Sequence, residues 1–181
     1  RAGSSVGITK VKNFDDLAGA VADALDHDDK VIVEVAVSGR EIECGVLEGR
    51  TDELERVSVA GEITVTGREF YDFEAKYVDS DSAKLTCPAD LSEQELAEMQ
   101  SLAVRAFRAL GCAGLARVDM FLTKDGFLLN EINTMPGFTS ISMFPRCWAD
   151  SCMDFRALVS PLIDLALETS LVISVQRFFS S

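Results

Sequence analysis

Histidine is almost missing from this sequence: the one residue in 181, His27, stands in the polar run Asp26–Asp29. That excludes histidine-rich metal sites, and any Ser–His–Asp triad would have to use this imidazole, whose setting is that of a solvated surface group. Also missing is a run of about 18 apolar residues, the length a membrane span needs. The N-terminus does not read as a signal peptide, so the expectation is a soluble, cytoplasmic chain without membrane insertion. Basic residues are scarce: 17 Lys+Arg face 30 Asp+Glu, a net charge of −13. Because phosphate neutralisation along a nucleic acid needs clustered cations, no nucleic-acid partner is expected. A nucleotide site needs only a few local cations and is not excluded. No CxxC spacing occurs among the five cysteines (44, 87, 112, 147 and 152), which are expected to be buried or idle thiols in a reducing compartment. Repeats and low-complexity segments are absent. What is present is a 48% hydrophobic chain, enough for a real core in one domain or slightly more.

Asn13, with Asp16 three residues on, predicts a capped helix over about 14–26, its apolar positions being Leu17, Ala20, Val21, Ala24 and Leu25. The β-branched run Val31–Val37 reads as a strand broken by Gly39, and Glu41–Leu47 resumes as a strand of alternating character. Residues 48–84 are polar, hold the aromatic-charged stretch GREFYDFEAKY at 67–77, and predict strands plus a functional loop. Ser92 and Glu95 make a capping box for a helix to about Leu110, with Leu96, Met99, Ala103, Val104, Phe107 and Leu110 on one face and Gly111 as its stop. Strands over 115–122 and 127–133 follow, then the loop NTMPGFTSISMFP. A last helix, capped by Asp154 and kinked at Pro161, is expected to run to about residue 170. Strands mixed with helices around one obvious hairpin make the fold class α+β.

The hairpin carries the chemistry. A three-residue turn, Lys124-Asp125-Gly126, with Gly126 in the left-handed position, sets Thr123 opposite Phe127, Asp119 opposite Glu131 and Arg117 opposite Asn133. Period two then gathers Arg117, Asp119, Glu131 and Asn133 on one face, leaving Ala116, Val118, Met120, Leu122, Leu128 and Ile132 for the core. Two opposed carboxylates repel unless a positive group lies between them. Three hard oxygen side chains suit Mg²⁺ or Mn²⁺ with water and phosphate completing the shell. A plain salt-bridged hairpin, neutralised by Arg117 alone, fits the same spacing. The loop Gly3-Ser4-Ser5-Val6-Gly7 has the small residues of a phosphate cradle, and of many flexible loops. Glu34, followed by an apolar run and then Glu41, could offer backbone to an adenine and a carboxylate to a ribose; a strand end beside a turn is the simpler alternative.

In this order RAGSSVGITKV, VIVEVAVSGREIE, FYDFEAKY, GLARVDMFL and NEINTMPGFTSISM resemble the D-alanine–D-alanine ligases, ATP-grasp enzymes of peptidoglycan synthesis, from Arg1 to about residue 170. The resemblance implies an ATP-grasp fold with an antiparallel-rich sheet and flanking helices. It also implies a ligase that phosphorylates one D-alanine with ATP and joins it to a second. By this resemblance Asp119, Glu131 and Asn133 hold two Mg²⁺ (or Mn²⁺) ions, while Asn130 and Glu131 adjoin the nucleotide. Arg117 and the N–H of Gly137 stabilise the oxyanion, and Ser142 with the Met143 backbone binds the acceptor carboxylate. Glu34, Val35, Ala36 and Val37 clamp adenine, Glu41 meets the ribose, and Lys76 reaches the transferred phosphoryl group. Tyr77 and Ser4 join a lid network that excludes water. The Lys76-Tyr77 pair favours dipeptide formation over a D-alanine–D-lactate product; a non-catalytic nucleotide-binding fragment is the alternative from another class. The family also has an N-terminal donor-binding domain and further lysines that precede the motifs seen here. The expected organisation is therefore 1–33 as a remnant of the central subdomain, 34–170 as the catalytic domain and 171–181 as an unassigned tail, with a homodimer when complete.

Overall fold

Residues 40–47 alternate charged and apolar side chains at first and then turn apolar, which suits a strand that is covered on both faces. In the computed structural model, which describes residues 7–50, 53–65, 83–139 and 141–179, they form the central strand β1 (Arg40–Leu47). β1 pairs antiparallel with β2 (Arg56–Val57), β3 (Gly61–Val65) and β5 (Leu115–Thr123). β4 (Ala83–Thr86) lies outside β3, and β6 (Gly126–Asn133) pairs antiparallel with β5 at the other edge. With α1 (Leu17–Leu25), α2 (Glu93–Ala109), α3 (Met143–Asp150) and α4 (Phe155–Phe179), the class is α+β, as expected.

The chain divides into two compact units, one of residues 1–37 and 64–84, the other of 38–63 and 85–181. In the first, Phe14–Asp16 form a short 3₁₀ turn that leads into α1. Asn13 occupies the cap position without a side-chain cap bond, and His27 is exposed as expected. The strand expected over Val31–Val37 does not form: the segment is irregular, with Ile32 84% and Val35 90% exposed. β-Branched residues favour strands only where a ladder partner and a packing surface exist. None pairs with this segment among the described residues.

The second unit holds the core. On one sheet face Ile42, Cys44, Val46, Ala116, Val118 and Met120 pack beneath Met99, Ala103 and Phe107 of α2. The Ser92 capping box closes as predicted: Glu95 N donates to Ser92 Oγ at 3.3 Å and Ser92 N to Glu95 Oε2 at 2.8 Å. Gly111 ends the helix at φ +62°, but Leu110 points away from the core and is 65% exposed. It lies past the last helical turn, where the 3.6-residue period no longer applies. On the other face α3 and α4 cover one end of the sheet, where Leu47, Phe144, Trp148 and Leu158 form a second cluster. Gly45 allows this approach, since a Cβ there would lie 2.3 Å from Trp148 Nε1. Both faces being covered, the alternation expected of 41–47 gives way to a strand buried from Ile42 to Leu47. Asp154 caps α4 as expected, accepting from Ala157 N at 2.8 Å. The helix runs through Pro161 and on to Phe179 rather than ending near 170.

Candidate active site

The hairpin register was expected from a three-residue turn; the structure reaches it differently. Lys124 and Asp125 alone form the turn, so that Thr123 lies opposite Gly126 and Leu122 opposite Phe127. A β-bulge at Asn130 then adds one residue to β6, and beyond it Asp119 does face Glu131 and Arg117 does face Asn133. Gly126 holds positive φ (109°), and the Thr123 hydroxyl ties the turn, accepting from Asp125 N at 3.1 Å and donating to Gly126 O at 2.9 Å. One consequence corrects the core list: Phe127, not Leu128, packs on the α2 side, and Leu128 is 49% exposed.

The ladder on both sides of β5 builds a small grid. Glu43, Asp119 and Glu131 stand directly opposite one another across β1, β5 and β6, and Gly45, Arg117 and Asn133 form the next row. Three carboxylates abreast repel. Arg117 is the cation that answers them: its Nε and Nη2 donate to Asp119 Oδ1 and Oδ2 at 2.7 and 2.6 Å, and its Nε lies 3.3 Å from Glu43 Oε2. Burial works against its charge, yet the hydrogen bonds to Asp119 and the charges of Glu43, Asp119 and Glu131 hold the guanidinium above its ordinary range. Glu131 is exposed at the edge strand, and Asn133 Oδ1 accepts from Met135 N at 3.0 Å where the chain leaves the sheet. Sequence reasoning missed Glu43, although Glu41-Ile42-Glu43 set two carboxylates at strand spacing. It is buried, at 6% exposure.

The loop after β6 folds back on itself. A Cβ on Gly137 would lie 2.8 Å from Ser142 Oγ, and that hydroxyl is within 2.8 Å of Thr139 Oγ1 and accepts from Thr139 N at 3.1 Å. Gly137 and Ser142, twelve and more atoms apart along the backbone, are therefore neighbours, with Met143 buried at the start of α3. Ser142 holds the N-cap position of α3 without a side-chain cap bond of its own. Glu41 lies in β1, partly buried. Glu34, Val35, Ala36 and Val37 lie in the exposed irregular segment of the first unit, and Asn130 is exposed at the bulge. Ser4, Lys76 and Tyr77, with the rest of FYDFEAKY, lie outside the described residues.

The donor set suits a hard divalent cation: two carboxylates and an amide oxygen share a face, and the charge of the carboxylate row exceeds what one arginine neutralises. Among the described residues no group of three His, Cys, Asp or Glu side chains is arranged to hold an ion by itself. Water or phosphate oxygens would have to complete the shell. The five cysteines are free; burial, aided by the charges of Asp119 and Glu43, pushes the Cys44 thiol up.

Solved structures share this fold. The D-alanine-D-alanine ligase from Coxiella burnetii superposes with a TM-score of 0.76 at 34% identity, covering 99% of this chain and 48% of its own. The VanG D-Ala:D-Ser ligase from Enterococcus faecalis gives 0.77 at 40%, covering 91% and 47%. The fold is that of the ATP-grasp ligases. Within that class the chain belongs to the family described as "D-ala D-ala ligase C-terminus", whose model matches residues 1–164. Curated D-alanine--D-alanine ligases from Kineococcus radiotolerans and Mycobacterium tuberculosis are each 55% identical over 172 residues, 92% of this chain and 46% of theirs. The chain thus spans about half the length of the curated relatives it matches. No helix among the described residues is long and apolar enough to cross a membrane.

Proposed function

We propose that the chain is the ATP-, metal- and acceptor-binding part of an enzyme that joins two D-alanines for peptidoglycan. The observation that carries this is the carboxylate pair Asp119 and Glu131, flanked by Arg117 and Asn133 and running into a loop that sets Gly137 against Ser142. In the reaction, the γ-phosphoryl group of ATP passes to the carboxylate of the first D-alanine. The amine of the second then attacks that carbonyl, giving a tetrahedral oxyanion that expels phosphate and leaves the dipeptide and ADP. Asp119, Glu131 and Asn133 would hold magnesium or manganese ions, two in number, which when bound neutralise phosphate charge during the transfer. Arg117 offers a fixed positive charge beside them, and its held orientation stabilises the oxyanion without reorganisation, together with the Gly137 N–H. Ser142 Oγ and the Met143 N–H bind the acceptor carboxylate. Glu34 with the backbone of Val35–Val37 takes adenine, Glu41 the ribose, Lys76 the transferred phosphoryl group, and Ser4 with Tyr77 keeps water from the acyl phosphate. Asn130 adjoins Glu131 on the nucleotide side. A boundary near residue 34, a cytoplasmic location and a homodimer go with this reading, the last measurable by light scattering.

The test is an assay with ATP, Mg²⁺ and D-alanine that follows phosphate and dipeptide together. It is run on this chain and on a version extended at its N-terminus to the length of the relatives. Dipeptide from either supports the reading; silence from both, with folding verified, overturns it in favour of a non-catalytic nucleotide-binding fragment. In whichever version is active, D119A is expected to lower turnover by at least about 100-fold in metal-controlled buffer. Competition with D-serine and D-lactate identifies the acceptor.

A further inference from the structure

Asp119 has two claims on it. Both of its oxygens accept from Arg117, yet under the function proposed above the same carboxylate takes a divalent cation. A cation bond to carboxylate oxygen is near 2.1 Å, and a cation and a guanidinium on the same two oxygens repel each other and share one negative charge, so the bidentate grip weakens as the ion is drawn in. Arg117, with its side chain only 20% exposed, is then left as a charge whose best partner is weakened, which a low-dielectric site penalises. Glu43 is placed to meet that penalty. It faces Asp119 across β1 and β5 on the same side of the sheet; its side chain is 8% exposed, and its Oε2 already lies 3.3 Å from Arg117 Nε.

We propose that Glu43 is a positioning residue for Arg117, anchoring the guanidinium while Asp119 turns to a divalent cation. The inference rests on the proposed metal-dependent function and adds to it a division of labour. Asp119 and Glu131 serve the cation, and Glu43, in the central strand, serves the arginine. Without Glu43, Arg117 has only Asp119 to hold, and it competes with the cation for those oxygens. Glu43 therefore raises cation affinity without touching the cation.

The experiment is a titration of this chain with Mn²⁺, followed by the electron paramagnetic resonance signal of the free ion, after circular dichroism has established that each variant folds. E43Q is expected to weaken Mn²⁺ binding about tenfold in the presence of Arg117. In an Arg117→Met background the same change is expected to cost less than about twofold, because no guanidinium is left to compete. An equal loss in both backgrounds makes Glu43 a mere nearby charge and overturns the proposal, as does no loss in either. E43D keeps the charge but withdraws the carboxylate from Arg117. Intermediate weakening supports the positioning role, and wild-type affinity overturns it, so the question is decided even if Arg117→Met does not fold. D119N separates the two levels of the argument: if it binds Mn²⁺ like the wild type, the metal site itself is wrong. If D119N loses binding while E43Q keeps it, only the role of Glu43 fails.

Discussion

Glu55 reaches across to α2 and accepts from Arg108 Nε at 2.7 Å, and the hydrogen bond from Arg108, with one from the Glu55 backbone, holds its carboxyl at about 2 against an ordinary 4.5. A carboxyl whose pKa is depressed by folding contributes stability above its unfolded value, and that contribution fades as the pH falls through the folded one. The window here runs from about 4.5 down to about 2. Arg108 is 56% exposed, so solvent screens the pair and E55Q is expected to cost only about 0.5 kcal/mol at pH 7. Urea unfolding of wild type and E55Q at pH 7 and pH 3 checks this: the gap should narrow at the lower pH, and a constant gap would mean the pair is not its source. Gly45 acts by shape instead. A Cβ there would meet the Trp148 indole at 2.3 Å and the Phe144 ring at 2.9 Å, both rigid and buried. At Gly61 it would meet Met143 Sδ at 2.2 Å, the end of a flexible side chain. G45A is therefore expected to cost about 1–3 kcal/mol and G61A clearly less, read as the drop in thermal midpoint. Equal drops would show that α3 shifts as a body instead of resisting at Trp148.

At the scale of elements, α2 shows how local chemistry specifies a boundary. Ser92 and Glu95 satisfy backbone donors of the first turn reciprocally, and S92A is expected to cost about 1 kcal/mol, measured by chemical denaturation. A loss much below that would mean Glu95 alone closes the turn. This helix was legible because both ends are encoded within a few residues. The hairpin was legible in its outcome and not in its path. Thr123 and Gly126 signal a turn, but whether the turn uses two or three residues depends on strand twist, and the bulge at Asn130 that restores the register has no local marker. Arg117, Asp119, Glu131 and Asn133 could be gathered on one face from spacing alone. Glu43 could not be joined to them, because its place depends on β1 pairing with β5 across more than seventy residues of chain. Val31–Val37 departs from its expected strand for the complementary reason: its β-branched composition is real, but strand formation needs a partner that its own sequence does not specify.

Across the whole molecule the two sheet faces have different work. One is uniformly apolar beneath α2; the other is divided between the aromatic cluster under α3 and α4 and the carboxylate row beyond it, with Gly45 and Arg117 adjacent at the border. Rigidity and chemistry thus share strands β1 and β5: the residues that alternate with Glu43, Arg117 and Asp119 are Ile42, Cys44, Val118 and Met120, all nearly inaccessible. The first unit is built otherwise. None of its described residues is buried: Leu17, Ala20, Val21 and Ala24, on the apolar side of α1, are only partly buried, and Leu25 is exposed. Amide exchange reports the free energy of the opening that exposes each hydrogen bond, and that energy grows with the apolar surface sealing it. In hydrogen–deuterium exchange of this chain, the amides of β1 and β5 are expected to exchange only through global unfolding. Those of Leu17–Leu25 should exchange orders of magnitude faster, through local opening of a nine-residue helix that is marginal without tertiary support. Adding denaturant should then accelerate β1 and β5 steeply and α1 hardly at all, since local opening exposes little new surface. Equal protection and an equal denaturant slope in α1 and β1 would mean that one cooperative unit embraces both, and that the contrast between a rigid carboxylate-bearing sheet and a loosely held first unit is wrong.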